Sequence, residues 1–188
     1  MHRLIGSLGT ELSDAAVAEL ASAWTPGRAE KGQTLAYQGD RVSREVMLLD
    51  GKAIAQITDS EGRGVCVGFY TGPGFVTPHI ARTRNGISLV TLEVTADATF
   101  SDMRADTLLA MMLRSSEIRD WANAILRDEL SRKTDREWCL AALGGADRLA
   151  WFRDRYPDHE ALFAHGLIAS FLGMTPVTLS RLRTSSSF

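Results

Sequence analysis

Near the end of this 188-residue chain stand two arginines, Arg181 and Arg183, and three hydroxyl side chains, Thr175, Thr178 and Ser180. Guanidinium groups offer the paired donors that guanine edges and phosphates accept. Hydroxyls add single hydrogen bonds to bases or phosphate oxygens. From His165 onward these arginines are the only formally charged side chains, histidine aside. The stretch is weakly basic, whereas the whole chain carries a formal net charge of −2. A nucleic-acid surface on this protein must therefore be local. Arg181, Arg183, Thr175, Thr178 and Ser180 are the candidates for such contacts.

Such groups act together only if something rigid presents them. The segment HGLIASFLGMTPVTLSRLR predicts a helix-turn-helix. Ile168, Ala169, Phe171 and Leu172 form the buried side of a short first helix. Gly173 follows where the chain must turn sharply, and glycine takes the positive φ that other residues resist. Thr175 is a natural N-cap. Pro176 then falls at the first helical position, where its missing N–H costs nothing. Leu179 and Leu182 face back onto the first helix, and small Ala169 lets the two helices cross closely. A short turn between two helices is what a DNA-reading pair requires.

Other chemistries find little support. Cys66 and Cys139 lie far apart and match no metal or redox spacing, so two reduced, buried thiols are expected. His2, His159 and His165 show no zinc-ligand spacing. G-x-S-x-G, H-E-x-x-H and Walker patterns are all missing. The reading is a non-enzyme with no cofactor. The N-terminal MHRLIGSLG lacks the apolar core of a secretory signal. No run approaches the roughly 18 apolar residues of a membrane span. A cytoplasmic protein without a membrane partner is expected.

Upstream, the texture changes twice. Residues 1 to 24 read as helical, with Leu4, Ile5, Leu8 and Leu12 in a first helix. Ser13 caps a second, carrying Val17, Leu20 and Trp24, and Pro26-Gly27 ends it. From Arg28 to about Phe100, short β-rich runs alternate with glycines. DSEGRG reads as a hairpin turn. Many short strands at regular spacing argue for an antiparallel sandwich or barrel. A long helix is expected from about Thr107 to Leu143. Met111, Ser115, Ile118, Ala122 and Ile125 keep alternating three- and four-residue steps, a coiled-coil-like seam. A partner helix or the barrel itself could cover it. Between Arg114 and Glu137, six basic and six acidic side chains intersperse. Asp128 with Arg132 and Glu129 with Lys133 read as a solvated flank. Gly144-Gly145 is a hinge or a helix cap. A short helix with Leu149, Phe152 and Tyr156 follows, ended by Pro157.

These features together resemble the Crp/Fnr family of bacterial transcription regulators, the catabolite-activator-like proteins. IASFLGMTPVTLSRLR is similar to that family's C-terminal signature, and Arg181 matches its recognition-helix arginine. The resemblance implies that Arg181 is the first candidate for DNA contact, to a guanine edge or to phosphate, with Arg183 a candidate for the DNA backbone. KGQTLAYQGD, EVMLLDGKAIAQ and GFYTGPGFV are similar to parts of its cyclic-nucleotide-binding jelly roll, the second to paired strands around a turn glycine. The resemblance implies an α+β chain in three parts. Residues 1–106 would hold the N-terminal helices and an antiparallel β jelly roll, a cyclic-nucleotide-binding-like double-stranded β-helix. Residues 107–143 would be a dimerisation helix, and residues 144–188 the helix-turn-helix DNA-binding domain. It also implies DNA, a homodimer through the 107–143 helix and an unidentified small-molecule effector as partners.

The effector site departs from the family pattern. Placing Gly74-Phe75 on the family's Gly-Phe turn puts its Gly-Glu pair on Thr77-Pro78 and its Arg-Ser pair on Ser88-Leu89. Neither the ribose-binding carboxylate nor the phosphate-binding arginine is then present. Cyclic AMP or GMP binding in the usual way is not expected. Thr77, His79, Arg82, Arg84 and Ser88 remain the effector-pocket candidates, with Arg82 and Arg84 read as solvated loop arginines. His79 is the one histidine of the barrel region, so a 2-His-1-carboxylate metal site there is excluded. The second helix opens Pro176-Val177, where better-known members place a polar or charged pair. The chain ends five residues after Arg183, so no wing hairpin is expected, as in the family's shorter members. Both departures leave a second reading: a non-catalytic ligand-binding or scaffold protein with a degenerate DNA-binding domain.

Overall fold

The computed structural model describes residues 12–185. Leu4, Ile5 and Leu8 of the first expected helix lie outside them. Helix α1 (Asp14–Ala23) begins where expected, with the Ser13 hydroxyl accepting from the Ala16 amide at 3.3 Å. Pro26-Gly27 does not form the stop expected of it. Both residues lie within strand β1 (Thr25–Ala29), antiparallel to β8 (Thr91–Arg104). Trp24, extended and buried, already ends α1. Gly27 is there because the Phe100 ring covers it: a Cβ would sit 2.5 Å from the ring.

Strands β2 (Thr34–Ala36), β3 (Arg44–Thr58), β4 (Gly64–Thr71) and β5 (Gly74–Phe75) complete one antiparallel sheet ordered β1-β8-β3-β4, with β2 on β8 and β5 on β3. This is the expected β-roll. REVMLLD and AIAQITD, expected as two paired strands, are instead halves of the single strand β3. Gly51 bends it at φ +95, and a Cβ there would meet the Asp97 carbonyl oxygen at 2.6 Å. Both halves pair with β8, which therefore wraps with β3 around the roll. DSEGRG does form the β3–β4 turn.

One irregularity decides how the roll meets the rest of the chain. Ala55 pairs with Gly68 and Gln56 with Cys66, so Val67 is an extra residue in β4. Such a bulge shifts the two-residue alternation by one. Cys66 and Phe69 consequently share the outer face, while Tyr70 turns into the roll. On β3 the alternation is regular: Ala53 and Ala55 face inward and Ile54 outward.

The expected single helix over 107–143 is two helices, α3 (Ala105–Arg114) and α4 (Ser116–Ala142). Ser115 is extended, and its hydroxyl caps α4 by accepting from the Ile118 amide at 3.3 Å. The seam residues Met111 and Ile118 do not face outward. They pack with Leu20, Trp24, Met47, Met103 and Trp121, closing one end of the roll. Between α2 (His79–Arg82) and α3, a β6–β7 hairpin (Thr83–Arg84, Ile87–Ser88) precedes β8.

Helices α5 (Gly145–Arg155), α6 (His159–Leu162), α7 (His165–Phe171) and α8 (Pro176–Ser185) follow. The glycine pair does not form a positive-φ helix cap. Gly144 is the extended N-cap of α5, and Arg148 ties the joint. Its guanidinium donates to the carbonyls of Leu140, Leu143 and Leu172 at 2.8, 2.9 and 3.1 Å. This one side chain satisfies orphan carbonyls at the end of α4 and in the turn after α7.

Candidate nucleic-acid interface

Helix α7 buries Ile168, Ala169, Phe171 and the following Leu172, as its apolar spacing predicts. The chain then turns on Gly173 at φ +64. Gly173 N donates to Ser170 O at 3.1 Å and Met174 N to Ala169 O at 3.0 Å, the paired bonds of a Schellman stop. A Cβ at Gly173 would come within 3.2 Å of Leu140, so the turn is also pressed against α4. Thr175 caps α8: its hydroxyl accepts from the Thr178 amide at 3.1 Å and meets the Thr178 hydroxyl at 2.9 Å. Pro176 opens the helix and Leu179 anchors it, fully buried against α7.

The outer face of α8 is consequently fixed by its inner one. Thr175, Pro176, Val177, Thr178, Ser180 and Arg181 are all exposed. Val177 is the most conspicuous, an apolar side chain 61% exposed. Arg183 is placed differently. Its Nε pairs with Glu160 at 3.0 Å, and its Nη1 lies against the His165 ring. Glu160 also accepts from Arg153 at 2.6 Å, and the Arg153 hydrogen bond is the first of the effects holding its carboxyl below the usual range. Of the two arginines, Arg181 is the one that projects from the exposed face. Nothing in the sequence spacing linked Glu160 to Arg183; the α6–α7 connection brings them together.

The helix pair is docked rather than tethered. Phe69 of β4 meets Phe163, Phe171 and Phe152 at ring-centroid distances of 4.6, 5.0 and 6.0 Å. Tyr156 and His159 close the cluster. Cys66 N donates to the Ser170 hydroxyl at 3.1 Å, and Lys52 Nζ to the Leu162 carbonyl at 2.8 Å. Arg136 of α4 lies 4.8 Å over the Phe171 ring and donates to the Phe171 carbonyl at 3.0 Å. Cys66 and Cys139 are free and buried, as expected, and burial pushes the Cys66 thiol up to about 12.

The effector-pocket candidates separate into two groups. Arg84 is exposed on the β6–β7 hairpin, the solvated position expected. Arg82 is not: it is 2% exposed, because α2 turns the segment back under β3. Its Nε donates to the Thr77 carbonyl at 3.1 Å and its Nη2 to the Arg44 carbonyl. The His79 ring nitrogen Nε2 lies 3.0 Å from the Val42 carbonyl, which makes it a donor rather than a metal ligand. The His79 amide donates to Glu45 at 2.8 Å, and burial raises the Glu45 carboxyl despite that bond. Ser88 spends its hydroxyl on the Val90 carbonyl. A carboxylate and an arginine thus do lie near this segment, from Glu45 and Arg82 rather than the positions the family pattern uses.

Glu129 also corrects the sequence reading of a solvated flank. It is buried, accepting from the Tyr70 hydroxyl at 3.1 Å and from Arg132 at 2.6 Å, with Lys133 at 3.3 Å. Burial comes first in pushing the Tyr70 phenol well above its usual range, with the Glu129 charge next. Among the described residues no cluster of His, Cys, Asp and Glu could hold a metal, and no helix is long and apolar enough to cross a membrane.

This arrangement, a β-roll with a helix-turn-helix docked behind it, has solved counterparts. A CooA mutant from Carboxydothermus hydrogenoformans superposes with a TM-score of 0.74 at 15% identity, covering 97% of this chain and 83% of that one. The c-di-GMP-responsive global regulator CLP of Xanthomonas campestris gives 0.72 at 15% identity over 93% and 91% of the two chains. A protein from Eubacterium rectale described as a Crp/Fnr-family transcriptional regulator gives 0.70 at 18% identity over 93% and 83%. The chain has the fold of the Crp/Fnr regulators. No protein-family model matches it, and no curated protein matches its sequence. The likeness is therefore one of architecture, extending over nearly the whole chain.

Proposed function

We propose that this chain is a dimeric DNA-binding transcription regulator whose β-roll does not bind cyclic AMP or cyclic GMP in the usual way. The observation that carries the reading is α8. Its buried side is complete, its cap is made, and its outer face offers Thr175, Thr178, Ser180 and Arg181 with nothing folded over them. Arg181 is assigned to a base edge or phosphate; Thr175, Thr178 and Ser180 to hydrogen bonds with phosphates or bases. Arg183, engaged by Glu160, would contact the DNA backbone only by exchanging one anion for another.

The dimer reading rests on α3 and α4, though not on the seam read from the sequence. Leu109, Leu113, Leu130 and Trp138 are exposed, Leu113 at 79%, with Leu126 one turn before Leu130. Exposed leucines along both helices fit an isologous contact with a second copy. Two copies of α8 would then face half-sites about one duplex turn apart. The scaffold reading draws on one observation, the exposed Val177 on the outer face of α8.

Selection of bound sequences from a random duplex pool tests the choice. Enrichment of a two-fold symmetric site supports the regulator. No enrichment at low salt supports the scaffold. Calorimetric titration showing micromolar binding of either cyclic nucleotide would overturn the assignment of the β-roll.

A further inference from the structure

Arg82 poses a problem of charge. Its guanidinium is buried, yet among the described residues no carboxylate lies within ion-pair distance of it. Its two formed bonds go to neutral carbonyls, those of Thr77 and Arg44. The third nitrogen, Nη1, is buried with no hydrogen-bond partner. Glu45, whose field reaches it, gives an oxygen to the His79 amide instead and is itself pushed toward the neutral form by burial. An unpaired buried charge is strongly unfavourable, and native chains normally pair it or bind a counter-ion.

The surroundings indicate what that counter-ion is. Arg82 forms part of the wall of an open cleft of about 370 Å³ between β2 and the start of β3. Gln33, Thr34, Arg41 and Arg44 also line it. Asp102 is the one carboxylate in the lining, and it pairs with Arg44. Three guanidinium groups against that carboxylate, with Glu45 outside the lining, leave an excess of positive charge that a bound anion balances. A phosphate monoester near neutral pH carries about −1.5 to −2 and presents three acceptor oxygens. Guanidinium groups bind such an oxyanion through paired, charge-assisted hydrogen bonds. The volume suits a small ligand.

We propose that this cleft binds a small phosphomonoester, with its phosphate held between Arg82, Arg41 and Arg44. The site differs from the cyclic-nucleotide pattern, in which the arginine position is occupied by Ser88. It also stands whether or not α8 binds DNA.

The test is titration of the full chain with inorganic phosphate at pH 7.5 and constant ionic strength, read by phosphorus NMR line broadening and by calorimetry. Chloride and acetate serve as controls. The expected result is saturable binding of phosphate and none of chloride or acetate. Arg82→Gln should weaken it at least about tenfold, the effect of losing a charged hydrogen-bonding group. Because Arg82 is buried, that variant could unfold, which circular dichroism reports. Two exposed-side variants then decide: Arg41→Ala should weaken phosphate binding, and Asp102→Asn should tighten it by freeing Arg44. A cleft that holds no phosphate predicts no response to either, and a folded Arg82→Gln chain that binds phosphate as the native one does removes Arg82 from the site. Absence of saturable phosphate binding by the native chain, or equal binding in both of these variants, overturns the proposal.

Discussion

Phe69→Ala is the change that most directly probes how the helix-turn-helix is held. Phe69 is buried and touches the rings of Phe163, Phe171, Phe152 and His159, with centroids 4.6 to 6.0 Å away. Those partners come from α5, α6 and α7 and the segment between, while Phe69 alone comes from the β-roll. Truncating a buried phenylalanine costs about 3–5 kcal/mol through lost transfer energy and the cavity left behind. For a chain of this size each kcal/mol lowers Tm by about 2–4 °C, so a fall of about 6–20 °C is expected. Differential scanning calorimetry measures it, with Val65→Ala on the exposed side of the same strand as control. Loss of this contact should also split one melting transition into two, since the roll and the helix pair would unfold separately. A loss below about 1 kcal/mol with one transition retained would refute the reasoning. The docking would then reside in Arg136 and the Cys66–Ser170 bond.

Three further outcomes are expected. Arg181→Ala should weaken specific DNA binding by about 1–3 kcal/mol if the residue reads a base; an unchanged sequence preference with a smaller salt slope identifies a phosphate contact instead. If the native chain is the proposed dimer by light scattering, Leu113→Glu combined with Leu130→Glu should give a folded monomer; a dimer mass retained in that variant places the contact elsewhere, and a native monomer refutes the dimer reading. His159 sits among Phe69, Phe152, Tyr156 and Phe163, and burial lowers its pKa, against the pull of the Pro157 carbonyl and Asp158. Below 6.5 the unfolded chain's histidine takes up a proton before the native one does. Stability should therefore decline as pH falls through that value, and His159→Phe should flatten this part of the profile in denaturant titrations between pH 7 and 5.

The helix-turn-helix was legible because local rules determine it. Gly173, Thr175, Pro176 and Leu179 each act within a turn or two of their own position. The β-roll was legible as a texture, but its strand count was not. Gly51 reads as a turn between two strands, since a positive-φ glycine serves a hairpin and a bend equally well. What brings β3 through is the close approach of Ala98, a residue 47 positions on. Met111 and Ile118 kept the spacing of an intermolecular seam, yet the roll end at Met47 and Met103 reached them first. Periodicity reports that a face is apolar, not what covers it. Arg82, Glu129 and Arg148 were missed for a related reason: each has a partner distant in sequence, the Arg44 carbonyl, the Tyr70 hydroxyl and the Leu172 carbonyl, and charged side chains read by default as solvated.

Strand β4 connects these findings. Its bulge at Val67 places Phe69 outward and its neighbour Tyr70 inward. Phe69 grips the helix-turn-helix, and Tyr70 bonds Glu129 on α4. Cys66, on the outer face with Phe69, holds Ser170 on α7 itself. A close-packed joint of this kind does not deform smoothly; it holds or it gives. A displacement of β4 would strain α7 through Phe69 and α4 through Tyr70 together, because the two residues share one peptide bond. Arg136 resists separate motion, since it bonds the Phe171 carbonyl on α7 from its position on α4. The orientation of α8 is thus tied to the register of β4 rather than to the glycine pair at 144 and 145. Changes in the β-roll should reach the exposed face of α8 by shifting this strand, with Arg148 keeping the α4–α5 joint closed while they do.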